Sequence, residues 1–428
     1  MRVLLNSTGS TGDIYPVIAL GRALSKAGHT VRLAAAPLFQ DEIERAELEY
    51  IYIPPDWDQE IFASCMLKLV RTRYPLKQLE IIYRSGMPFF DETLERLKIA
   101  LKDADLFICS YLFPHFKATA DRYNVPFSVV CFSHLIVPSP DYPPHDIPSL
   151  RIFPKKLQQF WNTTLWKISN ALISRTLNKV MVTRIKEGKI PSIKQFIFAP
   201  ADLALVAVSK KLLPTNAQIN PRYQFIGHLR WQSAQDPQLE KELQDFCAGN
   251  EVPVITFGSV TFDDREKKMH RFLSRWPKNK KIIIQRGWAK LSPEKELPNI
   301  KCIDRISHDQ LFRHASVVIH HGGAGTTASV WHSGKPSIII PHIADQFLWA
   351  KETSRMEVGL KISKKRWSEL LTEYVLRVEN NQKLRQNAEY FARELAREDA
   401  GKKAVTLLED FVNNYKNVAI YNCRMTID

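Results

Sequence analysis

The chain lacks several things. No stretch is apolar over the ~18 residues that a membrane-crossing helix needs. Its six cysteines (Cys65, Cys109, Cys131, Cys247, Cys302 and Cys423) are scattered, with no Cys-x-x-Cys pair. That excludes a zinc ribbon and a disulfide framework, and a reducing cytoplasm is the expected location. The apolar start, Val3 to Leu5, is too short for a secretory core and reads as a buried strand. No repeat or low-complexity stretch stands out. Acids are scarce relative to bases, giving a net charge of +15, which favours anionic partners. At 45% hydrophobic and 25% charged over 428 residues, the chain builds ordinary cores, enough for two domains.

What is present alternates between strand and helix. Val3 to Asn6 reads as a strand, Ile14 to Lys26 as a helix stopped by Gly28, and Val31 to Ala35 as the next strand. After an irregular stretch from Asp56 to Phe90, Asp105 to Cys109 and Phe127 to Phe132 resume the pattern. A second alternation starts at Pro253 to Phe257 and runs through Val317 to His320 and Ser337 to Ile340. This predicts an α/β protein with two doubly wound parallel sheets in tandem, facing each other across a cleft. The expected boundaries are a first domain over 1–227, a linker over 228–250, a second domain over 251–395, and a helix and tail over 396–428 that pack back on the first. Ligands of such sheets sit at the carboxyl ends of the strands.

The strongest chemical signal is the run His320-His321-Gly322-Gly323-Ala324-Gly325-Thr326-Thr327 after a buried strand. Small residues that open a helix leave its first amides free and its dipole exposed, a site for phosphate or pyrophosphate. His320 can add a hydrogen bond or a positive charge. Nineteen residues beyond Thr326, Asp345 and Gln346 offer an acceptor beside an amide that both donates and accepts, a pairing suited to sugar hydroxyls. Near the N-terminus, Gly9-Ser10-Thr11-Gly12-Asp13 places a carboxylate at the mouth of the cleft, where it can take a proton; the bland alternative is a helix cap. Gly258 and Ser259 end another strand. The Gly-x-Gly-x-x-Gly fingerprint of nicotinamide enzymes is absent.

Three stretches, Gly9 to Pro16, Ile303 to Asp309 and His320 to Trp349, together resemble the family 1 glycosyltransferases of the GT-B fold, the UDP-glycosyltransferase superfamily. Within it the chain is most like bacterial and fungal sterol and lipid glucosyltransferases and the enzymes that glycosylate macrolides and glycopeptides. The resemblance implies that His320 and the turn Gly322, Gly323, Ala324, Gly325 and Thr326 hold the nucleotide pyrophosphate. Asp345 and Gln346 would hold donor-sugar hydroxyls, Gly258 and Ser259 the phosphate side, and Ile306 the base. Asp13 falls where the family has an acidic general base. Two departures stand out: Ala328 replaces the ribose-gripping glutamate of plant relatives, and Ser333-Gly334-Lys335-Pro336 replaces their Ala-Gly-Val-Pro.

The expected activity is therefore inverting transfer of a hexose from a nucleotide sugar, UDP-glucose first and a dTDP-sugar as the alternative, to a hydroxyl of a sterol, lipid or polyketide. No bound cofactor is implied, since the nucleotide sugar is a co-substrate. Thr11, His115 and His134 are the acceptor-side candidates. The triplets Asp56-Trp57-Asp58 and Asp103-Ala104-Asp105 mimic metal-holding pairs, but both sit where polar residues are ordinary, and no metal is expected. A sugar-nucleotide-binding protein without turnover and a GT-B epimerase are the other readings. The segment 151–194 carries ten Lys/Arg against one acid, with Phe160, Trp161 and Trp166 among them. A solvated insertion is its first reading and contact with an anionic membrane its second. Nucleic acid is not expected, because no recognition motif accompanies the charge.

Overall fold

In a computed structural model the chain is described at all residues except Arg73, 145–146, 148–151, Thr215, Arg305 and 426–428, and by its main chain alone at 416 and 418–425. Arg151, the first cation of the basic segment, and Arg305 of the stretch Ile303 to Asp309 thus lie outside the described residues.

The first sheet comprises β1 (Arg2–Asn6), β2 (Thr30–Ala35), β3 (Glu49–Tyr52), β4 (Leu106–Ser110), β5 (Phe127–Cys131), β6 (Leu203–Val206) and β7 (Tyr223–Phe225). Their order is β3-β2-β1-β4-β5-β6-β7, every pair parallel. Around it lie α1 (Thr11–Lys26), α2 (Gln40–Arg45), α3 (Gln59–Arg71), α4 (Pro75–Gly86), α5 (Phe90–Leu101), α6 (Lys117–Arg122), α7 (Lys155–Val180) and α8 (Val182–Lys186). Buried on both faces, β4 and β5 are apolar runs carrying one Ser and one Cys each, as suits central parallel strands.

After α9 (Pro237–Cys247) the second sheet comprises β8 (Val252–Thr256), β9 (Ile282–Gln285), β10 (Ile300–Ile303), β11 (Ala315–His320), β12 (Ser337–Ile339) and β13 (Gly359–Lys361), in the order β10-β9-β8-β11-β12-β13. It too is parallel throughout. Its helices are α10 (Arg265–Leu273), α11 (His308–Phe312), α12 (Ala324–Ser333), α13 (Gln346–Arg355), α14 (Trp367–Glu379) and α15 (Gln382–Leu395). The last helix, α16 (Ala400–Met425), crosses back: Ala400, Ala404, Val405, Leu408 and Val412 share one core with β1, β2 and α1 of the first sheet.

Two expectations need correction. The stretch from Asp56 to Phe90 is not irregular; α3 and α4 fill it, α3 capped by the Asp58 carboxylate, which accepts from the Ile61 amide at 2.8 Å. Nor is 228–250 all linker. Asp236 caps α9, Pro237 takes its first position, and Leu243 and Cys247 are buried in the second domain's core, so α9 belongs to that domain.

Candidate functional site

The carboxyl ends of both sheets open onto one cavity of about 1030 Å³. The turn after β1, the turn after β11 and the loop before α13 all line it. So do residues from α3 and α4 that the sequence does not single out one by one, among them Phe62, Met66 and Ile82.

On the first-domain side, Ser10 starts α1 and donates to Asp13 Oδ2 twice, through its amide at 2.8 Å and its hydroxyl at 3.1 Å. The helix-cap role of Asp13 is therefore real, yet it uses one carboxylate oxygen and leaves Oδ1 for the cleft. The fit is tight: a Cβ on Gly9, which sits at φ +138°, would lie 2.4 Å from Oδ2. Burial pushes the Asp13 carboxyl above its ordinary range, against the two Ser10 bonds that pull it down. Thr11 and His115 also line the cavity. His115 sits in an aromatic box of Tyr83, Phe90, Phe113 and Phe116, the last at 4.4 Å between ring centroids, and burial pushes its imidazole down to about 3. His134 is a correction: it is outside the cavity lining, its ring against Trp349 at the contact between domains.

On the second-domain side the sequence pattern works by subtraction. Gly323 caps α12, and a Cβ there would meet His321 Nε2 at 2.3 Å. Gly322, at φ +88°, leaves no room beside Ile339 and the Gln346 carbonyl. Gly325, in contrast, has nothing within 4 Å of a Cβ and opens on the cavity. Ala324, Gly325 and Thr326 line it, and their amides belong to the helix's first turn, which has no carbonyl of its own to bond. The loops after β8 and β9 press together there. A Cβ on Gly287 would lie 2.6 Å from the Gly258 carbonyl, and Trp288 donates its amide to that carbonyl at 2.9 Å.

His320 is the second correction. Its ring is 0% exposed and outside the lining; Nδ1 accepts from the Gly322 amide at 3.2 Å, so the ring props the turn from behind. The neighbour His321 faces the cavity instead. Burial, aided by His308, pushes His321 down to about 3, so it meets a ligand as a neutral imidazole and not as a cation. Gly322 is likewise structural and does not line the cavity.

Gly258, Ser259, Ile306, Asp345 and Gln346 all line the cavity. Gln346 Oε1 accepts from the amides of His342 at 2.8 Å and Ile343 at 3.1 Å, so this side chain builds the loop and has its amide nitrogen left for a ligand. Trp349 Nε1 donates to Asp345 Oδ2 at 2.8 Å. Burial raises the Asp345 carboxyl to about 6, the Trp349 bond opposes this, and the charge of Asp13 adds to the rise. Tyr111, at the end of β4, is pushed up by burial and by both carboxylates. Asp13 and Asp345, one from each domain, therefore face the same small volume, with Tyr111 beside them.

The Asp triplets are structural where their bonds are described: Asp58 caps α3, Asp103 pairs with Arg32 at 2.6 Å, and Asp105 accepts from the Arg2 amide at 2.8 Å.

Two family profiles match the two halves of the chain. Residues 3–90 match the glycosyltransferase family 28 N-terminal domain, and residues 279–411 match the C-terminal domain of erythromycin biosynthesis protein CIII-like proteins. The chain is a family 1 glycosyltransferase of the GT-B fold. The glycosyltransferase is 25% identical over 379 residues to a sterol 3-beta-glucosyltransferase of Arabidopsis thaliana, spanning 84% of this chain but only 57% of that protein. It is 24% identical over 365 residues to the vancomycin aglycone glucosyltransferase of Amycolatopsis orientalis, covering 84% of this chain and 85% of that one. The solved structure of the glycosyltransferase VinC in complex with dTDP superposes with a TM-score of 0.65 at 16% identity, over 97% of this chain and 100% of that chain. That likeness fixes the fold of two Rossmann-like sheets.

Proposed function

We propose that this glycosyltransferase moves a hexose from UDP-glucose to a hydroxyl of a hydrophobic acceptor, a sterol, lipid or polyketide, with inversion at the anomeric carbon. One observation carries the reading: a raised carboxylate at a helix head faces a glycine-built anion turn across a cavity whose first-domain wall is apolar and aromatic. The diphosphate rests on the amides of Ala324, Gly325 and Thr326 with His321 donating from the side, a preorganised field that stabilises the leaving group. Asp345 and Gln346 take sugar hydroxyls, and Ile306 meets the base. Trp57, Phe62, Ile82 and Phe90 wall the acceptor side. Asp13 Oδ1 accepts the acceptor's hydroxyl proton as that oxygen attacks, while the anomeric carbon–phosphate oxygen bond breaks and the diphosphate departs with its electron pair. The names of the sterol and vancomycin relatives support a hydrophobic or natural-product acceptor.

A dTDP-sugar donor is the second reading, supported by the dTDP held by the structural neighbour. The test incubates the protein with UDP-glucose or dTDP-glucose and a panel of sterols, glycolipid precursors and polyketide aglycones, and follows glycoside by mass spectrometry. A β-glucoside from UDP-glucose upholds the proposal. Retention of configuration sinks the single displacement, donor conversion without acceptor points to an epimerase, and nucleotide binding without turnover points to a binding protein.

A further inference from the structure

The longest helix of the first domain, α7, has its polarity inside out. Its buried inner face holds Trp166 and Leu177 but is otherwise polar, with Asn162, Asn170 and Ser174 in the four-residue register of Trp166. Asn162 donates to the Pro140 carbonyl, Trp166 Nε1 to the Tyr142 carbonyl, Asn170 to the Lys194 carbonyl and Asn178 to the Ile193 carbonyl, each at 2.9 Å. These bonds fix how the helix is rolled. The consequence is that large apolar side chains point outward: Phe160 is 70% exposed, Ile168 50%, and Leu157, Trp161 and Leu172 are exposed with them. Helical geometry puts these five on one face, since at 3.6 residues per turn 157, 160, 161, 168 and 172 fall within about a third of the circumference. Lys167, Arg175 and Lys179 lie on the same side and are exposed. None of the three pairs with an acid among the described residues, and α7 contains no Asp or Glu at all.

We propose that the outer face of α7 docks on an anionic lipid surface. Each alternative occupant leaves half of the face unmatched. A second copy across a two-fold axis would set these cations against their own images with no acid to offset them. A nucleic acid would take the cations but strand Phe160, Ile168 and Leu172 against phosphate. A bilayer surface satisfies both, with apolar side chains at the acyl boundary and cations among acidic headgroups. The stripe also sits where such contact would be useful. The inner side of α7 packs on α4, and α4 in turn lines the cavity through Ile81, Ile82 and Ser85. The docking surface itself does not depend on which acceptor the cavity takes.

The experiment floats the full-length protein with vesicles of phosphatidylcholine alone or mixed with phosphatidylglycerol. Binding to the anionic vesicles only, weakened by salt, is expected. Lys167→Glu with Arg175→Glu should lower that partition at least ~10-fold, at about fivefold or more per cation. Phe160→Ser with Leu172→Ser should lower it by a similar factor. All four positions are exposed, so melting curves should coincide with the parent's and separate loss of docking from loss of fold. No binding to either vesicle, equal binding to both, or binding that survives either double variant overturns the proposal. So does a dimer in sedimentation that Phe160→Ser abolishes, or duplex DNA binding that the cation variant loses and the apolar variant keeps.

Discussion

The two walls of the cleft make room for a ligand by opposite means. On the second domain, space comes from missing side chains: Gly287, Gly322 and Gly323 let loops and a helix head close to distances that a Cβ would forbid. Around the anion turn that wall is largely main chain and polar, with His321 and Asp345 among the titratable groups that line it. On the first domain, space is shaped by bulk. Trp57 packs edge-on against Phe62 at 5.2 Å and Phe89 at 5.9 Å, and Phe90 stacks over Phe116. A backbone-built site serves a ligand part that never varies, such as a diphosphate, because main-chain geometry cannot be retuned by substitution. A site of interchangeable side chains serves the part that varies.

If the walls are separable in this way, substitutions should split cleanly. Gly325→Val should have the largest effect. Its side chain enters open space and strains nothing, yet it fills the place above the α12 amides. Calorimetric titration with UDP should show affinity lost by at least ~100-fold, with thermal stability kept. Retained affinity would break the assignment of this wall. Asp13→Asn comes next: turnover should fall ~10²–10⁴-fold while UDP affinity stays within a factor of two or so. A parallel loss of donor affinity would mean that Asp13 only shapes the turn. Trp57→Ala should raise the acceptor KM ~10-fold, the order expected from removing part of one aromatic contact, and leave the donor KM alone.

The smallest effect concerns pH, and it tests a place where the two walls meet. A base works only when ionised. Burial raises Asp13, so its useful form is lost at a higher pH than for an ordinary aspartate as the medium is acidified. Asp345, raised to about 6, loses its charge in the same direction. The rate profile should therefore fall on the acid side, at a higher pH than an ordinary aspartate would set. Asp345→Asn removes a negative neighbour and should move that limb to lower pH. A limb that stays put means the two carboxylates do not sense each other.

Legibility in the sequence followed the same division. The second domain's turn could be read because glycines are irreplaceable where φ is positive and contacts are short, so the chemistry is written in consecutive letters. What could not be read was parity. His320 and His321 are neighbours at a strand end, where successive side chains face opposite ways. Only packing decides that the first props the turn and the second faces the ligand. The first domain was harder. Helix α3 gave no clean stripe because Val70 is buried in the second domain's core while Phe62 and Met66 face the cavity, so its apolar residues answer to two surfaces. Strands β10 and β13 are the two edges of their sheet and only partly buried, so no apolar run marks them. Helix α9 hid inside a polar stretch because it buries only a narrow edge, Leu243 and Cys247. In α7 the aromatic and basic letters were visible, but which of them face outward depends on asparagines whose partners lie in distant loops.

The return of α16 has a consequence for how the molecule comes into being. Residues from Ala400 to Val412 complete the packing around Val3, Leu5 and Ile14, which precede them by almost the length of both sheets. A nascent chain on the ribosome therefore carries an unfinished first unit, with one flank of oily surface bare, until α16 has followed both sheets out. The order of translation thus runs against the order of assembly, and this protein should lean on chaperones more than two independently closing domains would.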